Sequence, residues 1–172
     1  MSEPLDPVDR RLLSVLSEGS RIGMLELSRR AGVARGTAQA HVDRLVATGV
    51  VTSFGPHLDL RAMGYGVLAF TSLDIAQGRL GDVVAHLREI PEVLEAHATT
   101  GADDLHCRVV ARSNDHLQDV LNRILEVQGI NRTTTVIALS EQIPYRLTPL
   151  LEASGDTVDR TSSAAPASRR SR

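Results

Sequence analysis

Arg35, Gly36, Thr37, Gln39, Ala40, His41 and Arg44 lie outside the apolar face that Ala38, Val42, Leu45 and Val46 would form on one helix. These residue types can read double-stranded DNA. Arg forks the guanine edge, Gln pairs with adenine, and Thr meets either a base or a phosphate. A helix amino terminus adds backbone N–H groups for phosphate. Arg21, Arg29 and Arg30 fall just upstream and would gather near the same helix, whereas Glu3, Asp6 and Asp9 fall in an earlier one. Asp43 is the acid among the reading residues; it would read cytosine or pair with a nearby Arg. Over residues 1–60 seven Arg meet seven acids, so any basic character is local.

A second constellation is Thr99-Thr100-Gly101-Ala102-Asp103-Asp104. Gly101 can leave backbone N–H groups free to cradle a carboxylate, and Asp103 or Asp104 can receive an ammonium group. Together they suit a free α-amino acid, although the same residues also make an ordinary turn with solvated acids. Thr133, Thr134 and Thr135 offer hydroxyls, or simply β propensity.

Catalytic and metal chemistry find no support. His41, His57, His86, His97, His106 and His116 show no tight ligand spacing. His97 and His106 can meet across paired strands. Cys107 follows His106, but neighbours on a strand point to opposite faces, so they form no nucleophilic pair. No glycine-rich phosphate loop is present. The chain is expected to be a binding protein and not an enzyme, with no cofactor or resident metal.

Three short helices must position the first set. Asp6-Pro7-Val8-Asp9 starts one: Asp6 caps, Pro7 takes the first helical position and Asp9 reaches back. Val8, Leu12, Leu13 and Leu16 follow at helical spacing, and Ser17-Glu18-Gly19 ends the helix. A second runs from Met24 to Ala31 and stops at Gly32. The third starts near Ala34 and stops at Thr48-Gly49. Val50–Phe54 reads as a strand, Gly55-Pro56 as its turn and His57–Leu60 as its return, which gives a winged helix-turn-helix.

The second set needs a sheet. Gly66–Ile75 is a strand, Leu80–Ile90 a helix, Val93–Thr99 and Leu105–Ala111 are strands, a helix begins after Ser113, and Arg132–Leu139 is the last strand. The order β-α-β-β-α-β is a ferredoxin-like unit, and the fold class is α+β. The expected organisation is residues 1–53 for DNA, 54–65 as linker, 66–147 for effector binding and oligomerisation, and 148–172 as a disordered Ser/Ala/Arg-rich tail that cannot bury enough apolar surface.

Composition narrows the partners. The net charge of -2 gives no global basic field, and with two Phe, two Tyr and no Trp the chain is poor in base-stacking rings. All nineteen cations are Arg. One cysteine excludes an intramolecular disulfide. The polar start and the lack of a long apolar run predict a cytoplasmic protein without membrane association.

Leu5-Asp6-x-x-Asp9-Arg10-x-Leu12-Leu13, Glu26-Leu27-Ser28-Arg29-Arg30-Ala31-Gly32-Val33 and Val42-Asp43-Arg44-Leu45-x-x-x-Gly49-Val50-Val51 together resemble the Lrp/AsnC family of feast/famine transcription regulators. The second half agrees in Leu58-Asp59-x-x-x-Met63-Gly64-Tyr65, Pro91-Glu92-Val93-x-Glu95 and Thr100-Gly101-x-x-Asp104-Leu105-x-x-Arg108-Val109. The resemblance covers residues 5 to about 147. It implies a winged helix-turn-helix joined to an ACT-like sensor domain that binds an amino acid at the 99–104 hairpin, with dimers that assemble into octamers. It also implies Thr134 as a hydroxyl supplied from a partner subunit. Where many members carry several basic residues in the reading helix, this chain has Gln39, Ala40, His41 and Asp43. The rival reading is an amino-acid-binding oligomeric sensor or scaffold with weak DNA binding.

Overall fold

The computed structural model describes residues 5–18 and 22–153. Glu3, Gly19 and Arg21, and the tail from residue 154, lie outside the described residues. The chain divides into two compact units, Met1–His57 with Pro144–Arg172, and Leu58–Ile143.

The first unit holds α1 (Pro7–Glu18), α2 (Met24–Ala31) and α3 (Arg35–Ala47). The expected capping box opens α1: Asp9 N–H donates to Asp6 Oδ1 at 2.8 Å, and Asp6 N–H donates to Asp9 Oδ2 at 3.0 Å. Leu12, Val15, Leu27, Ala31, Ala38 and Val42 form the core. Val46, expected on the apolar face of α3, is exposed. Gly32 stops α2 in the left-handed region at φ 68°, while Val33 N–H donates to the Ser28 carbonyl at 3.0 Å.

Two expectations need correction. No strand forms over 50–60. Ser53 Oγ instead takes the Gly55 N–H at 2.9 Å, and Asp59 Oδ1 takes the Arg61 N–H at 2.8 Å. These side-chain bonds make local turns where a return strand was expected. Residues 148–153 form a short helix where the tail was expected to begin. Thr148 Oγ1 lies 3.1 Å from Ser17 Oγ of α1, and Leu147, Leu150 and Leu151 line an apolar groove with Leu13 and Leu16. Three leucines in five positions supply the apolar stripe that the rest of the tail sequence lacks.

The second unit holds β1 (Val67–Ile75), α4 (Leu80–Arg88), β2 (Val93–Ala98), β3 (Leu105–Ala111), α5 (Asn114–Leu125) and β4 (Ile130–Ile137). The strands pair antiparallel in the order β2-β3-β1-β4. This is the α+β arrangement expected from the sequence. Alternation puts Ala69, Leu73 and Ile75 of β1 into one core with Val83 and Leu87 of α4 and Leu117, Val120 and Ile124 of α5. Ser113 caps α5 by accepting the His116 N–H at 3.1 Å. Glu92 ties the start of β2 to α5, taking Arg123 Nη2 at 2.7 Å with His116 Nε2 at 3.3 Å. Among the described residues no helix is long and apolar enough to cross a membrane.

Candidate functional site

Gly32 sets α3 against α2 as in a helix-turn-helix. Arg35, Gly36, Thr37, Gln39 and Ala40 are all exposed on α3, while Ala38, Val42 and Leu45 face the core. The residue before the helix, Ala34, brings no side-chain acceptor, so no side chain caps the leading N–H groups of α3. Arg35 forms no hydrogen bond or ion pair among the described residues. Gln39 Nε2 donates to Asp43 Oδ1 at 2.8 Å, so Asp43 is held by Gln39 and not by an Arg. Arg29 forks Glu26 at 2.8 and 2.7 Å and remains 72% exposed. Arg30 pairs with Glu18.

His41 and Arg44 depart from the expected outward face. Both turn toward α1. Arg44 Nη2 lies 2.7 Å from each oxygen of Asp9, and His41 Nδ1 lies 2.9 Å from Asp9 Oδ1. Asp9 is 0% exposed. Burial alone would raise its pKa; the His41 bond, the Asp6 backbone bond and the Arg44 guanidinium outweigh it and hold the carboxyl below its ordinary value. The reason is geometric. Asp9 stands one helical turn before Leu12 and Leu13, on the buried stripe of α1, and its charge draws the nearest cations of α3 inward. That spacing is readable in the sequence, but the capping role of Asp9 gives no hint of a partner on α3. Asp6, Asp9 and His41 come close enough to hold a cation, but Arg44 already neutralises Asp9.

The hairpin between β2 and β3 separates its two acids. Asp104 is engaged: its Oδ2 takes the Ile75 N–H at 2.7 Å, beside the β1 irregularity at Asp74/Ile75, and its N–H donates to the Leu73 carbonyl at 2.8 Å. Asp104 thus ties the hairpin to β1 through one carboxylate oxygen, while no hydrogen bond to its Oδ1 is seen among the described residues. Asp103 is half-buried, with Arg132 Nη2 at 3.5 Å from its Oδ1. Thr99 Oγ1 donates to the Asp103 carbonyl at 2.8 Å. Thr100, Gly101 and Ala102 are exposed, and Gly101 has φ 126°, which L side chains rarely adopt. Among the described residues the amide groups of 100–102 have no backbone partner, so they remain available to an anion.

Thr134 is exposed on β4, opposite Ser72, with no side-chain bond to the hairpin. Thr135 Oγ1 instead bonds the buried Thr71 hydroxyl at 3.1 Å. His97 and His106 do sit opposite each other in register. His106 bonds Ser72 Oγ at 3.0 Å and stacks on Phe70. Cys107 points the other way into the core, where burial pushes its thiol up to about 11.

Comparison with known proteins adds an independent line. A family model described as the Lrp/AsnC ligand binding domain matches residues 68–147, and one described as winged helix-turn-helix DNA-binding matches residues 5–52. The chain is 31% identical over 147 residues to regulatory protein AsnC of Escherichia coli, covering 84% of this chain and 97% of that one. It is 29% identical over 139 residues to an HTH-type transcriptional regulator of Pyrococcus horikoshii, covering 81% and 92%. The structure of E. coli AsnC superposes with TM-score 0.79 at 29% identity, covering 86% of this chain and 100% of that one. A transcriptional regulator from Neisseria meningitidis, solved as its L-Met complex, gives TM-score 0.77 at 26% identity, covering 85% and 99%.

Proposed function

The chain belongs to the Lrp/AsnC family of DNA-binding transcriptional regulators, and we propose that it reads its operator through the exposed strip Arg35, Gly36, Thr37, Gln39 and Ala40 of α3. The observation that carries this reading is that strip itself: an exposed face bearing the polar side chains of Arg35, Thr37 and Gln39 on the helix after the Gly32 turn, opposite a buried one. Arg29, exposed at the end of α2, reaches phosphate in this reading. Arg21 is proposed for the same role on sequence grounds. His41 and Arg44 act indirectly by holding α3 on α1. Members of this family are regulators and not enzymes.

The second unit is the sensor. Its hairpin binds the carboxylate of a free amino acid on the amides around Gly101, with Asp103 as the acid for the ammonium group. Thr99 and Asp104 shape the loop, and Thr134 contributes from a partner subunit. The likeness to a regulator solved with L-Met supports an amino acid as the ligand class. The protein acts in the cytoplasm as a dimer, or an octamer built from dimers, whose two-fold symmetry matches a pseudo-palindromic operator. The boundaries 1–53, 54–65 and 66–147 mark the reading, linking and sensing segments of this scheme. An effector regulates such an assembly only by binding its states with different affinity.

Fluorescence anisotropy with the chain's own promoter DNA and random DNA, repeated at several salt concentrations, tests the reading. Promoter binding at least about 10³-fold tighter than random binding is expected. Equal affinity for both DNAs, with amino-acid binding intact, would favour the sensor-scaffold alternative.

A further inference from the structure

The sheet of the second unit packs its core with α4 and α5 on one face. On the other face Leu68 of β1 and Arg108 and Val110 of β3 floor a cavity of about 340 Å³. The turn over 58–66 and residues 138–141 wall it, and Val110 is buried beneath them. Short-range bonds set the first wall: Asp59 Oδ1 accepts the Arg61 N–H at 2.8 Å, and Tyr65 N–H donates to the Leu60 carbonyl at 2.8 Å. All the lining residues belong to this one unit, and none comes from the 99–104 hairpin. Small-molecule sites span roughly 300–1,000 Å³, so this volume suits a small ligand.

Arg108 sets this cavity apart from an ordinary surface cleft. Its Nη1 reaches Glu95 Oε1 only at 3.4 Å. Its Nε is buried and has no hydrogen-bond partner among the described residues. Buried donors are nearly always paired, and a guanidinium N–H gains most from an anionic acceptor. Nε and the adjacent Nη2 of an arginine form a fork that matches a carboxylate. The charges lining the cavity cancel, Arg61 and Arg108 against Asp59 and Glu141. The attraction is therefore local, to one anionic group, and a polyanion gains nothing from it. The Asp59 carboxylate serves its own turn through Oδ1, and Glu141 is exposed. Leu60, Leu68 and Val110 leave apolar surface beside the guanidinium for a short hydrocarbon body.

We propose that this cavity binds a small organic monocarboxylate, its carboxylate forked by Nε and Nη2 of Arg108 and its hydrocarbon body against Leu68 and Val110. The site is separate from the amino-acid hairpin and does not depend on α3 reading DNA.

Butyrate and its uncharged analogue butyramide are the probes, titrated into full-length protein and followed by NMR of the ligand and of the arginine Nε–H groups. Butyrate should bind saturably, with a Kd of about 10 mM or tighter. The Arg108 Nε–H resonance should move along the same saturation curve. Butyramide should bind at least about tenfold more weakly, because it offers no charged acceptor. Arg108→Met keeps the length of the stem and removes the donors, and should weaken butyrate at least about tenfold. The resonance and the amide comparison use wild-type protein, so they decide the matter even where the variant does not fold. No saturation by butyrate up to about 100 mM overturns the proposal and leaves the Arg108 donor to water. So does butyramide that binds as tightly as butyrate, butyrate binding that leaves the Arg108 resonance in place, or a folded Arg108→Met variant that binds butyrate like wild type.

Discussion

Asp9→Asn tests how α3 is held. The carboxylate is wholly inaccessible and receives both Arg44 bonds at 2.7 Å, His41 at 2.9 Å and the Asp6 N–H at 3.0 Å. An amide of the same shape keeps one acceptor and turns an NH₂ toward groups that are themselves donors. Breaking a buried ion pair from one side costs about 3–5 kcal/mol when the remaining charge stays buried. The Arg44 side chain is 35% exposed and regains water, so about 2–3 kcal/mol is expected here. For a unit of this size that lowers Tm by about 10–20 °C, read by far-UV circular dichroism. The effect has a pH signature. Asp9 binds its proton less readily folded than unfolded, so its contribution is complete above the unfolded value near about 4 and is lost as pH falls through the lower folded value. Wild type and variant should therefore differ at about pH 7 and converge in strong acid, below the folded value. A Tm change under about 2 °C at neutral pH, or a gap that persists undiminished once both proteins are well below that value, refutes the reasoning.

Gly32→Ala should cost about 1 kcal/mol in urea unfolding, because φ 68° disfavours a Cβ although the space around it is open. Gly101→Leu should abolish amino-acid-induced thermal shifts while DNA affinity remains, since φ 126° is strained for leucine; a shift that survives moves the effector elsewhere. Cys107 should resist iodoacetamide at about pH 8 in the folded protein and react once it unfolds, with mass spectrometry as the readout. Arg44→Ala should weaken DNA binding together with Tm, and weaker binding at unchanged Tm would restore Arg44 to the reading face.

Periodicity made most of the fold legible. Ala69, Thr71, Leu73 and Ile75 alternate because β1 is covered by helices on one face only, and the Asp6–Asp9 spacing announces a helix start before any tertiary contact exists. Patterns failed where a side chain chose a distant partner. The outward placement of His41 and Arg44 follows from a helical wheel that contains α3 alone, whereas Asp9 of α1 decides where they point. Asp104 reads as a free acid because nothing local shows that Ile75 presents its N–H at an irregular strand end. The missing return strand over His57–Leu60 is a competition won by Ser53 and Asp59, whose side chains make turns with their own neighbours. Composition hid the short helix over 148–153, because its leucines come just before the Ser/Arg-rich sequence.

Whether the exposed strip of α3 reads DNA is the central question, and the double variant Arg35→Ala/Gln39→Ala addresses it most directly. Arg35 has no partner among the described residues and Gln39 only Asp43, so folding should be preserved, with Tm within about 2 °C of wild type. Removing each base interaction should cost about 1–3 kcal/mol on the promoter, with little change on random DNA. Promoter affinity should therefore fall by at least about tenfold. A folded variant that still distinguishes promoter from random DNA as well as wild type would contradict the assignment of α3 as the reading helix.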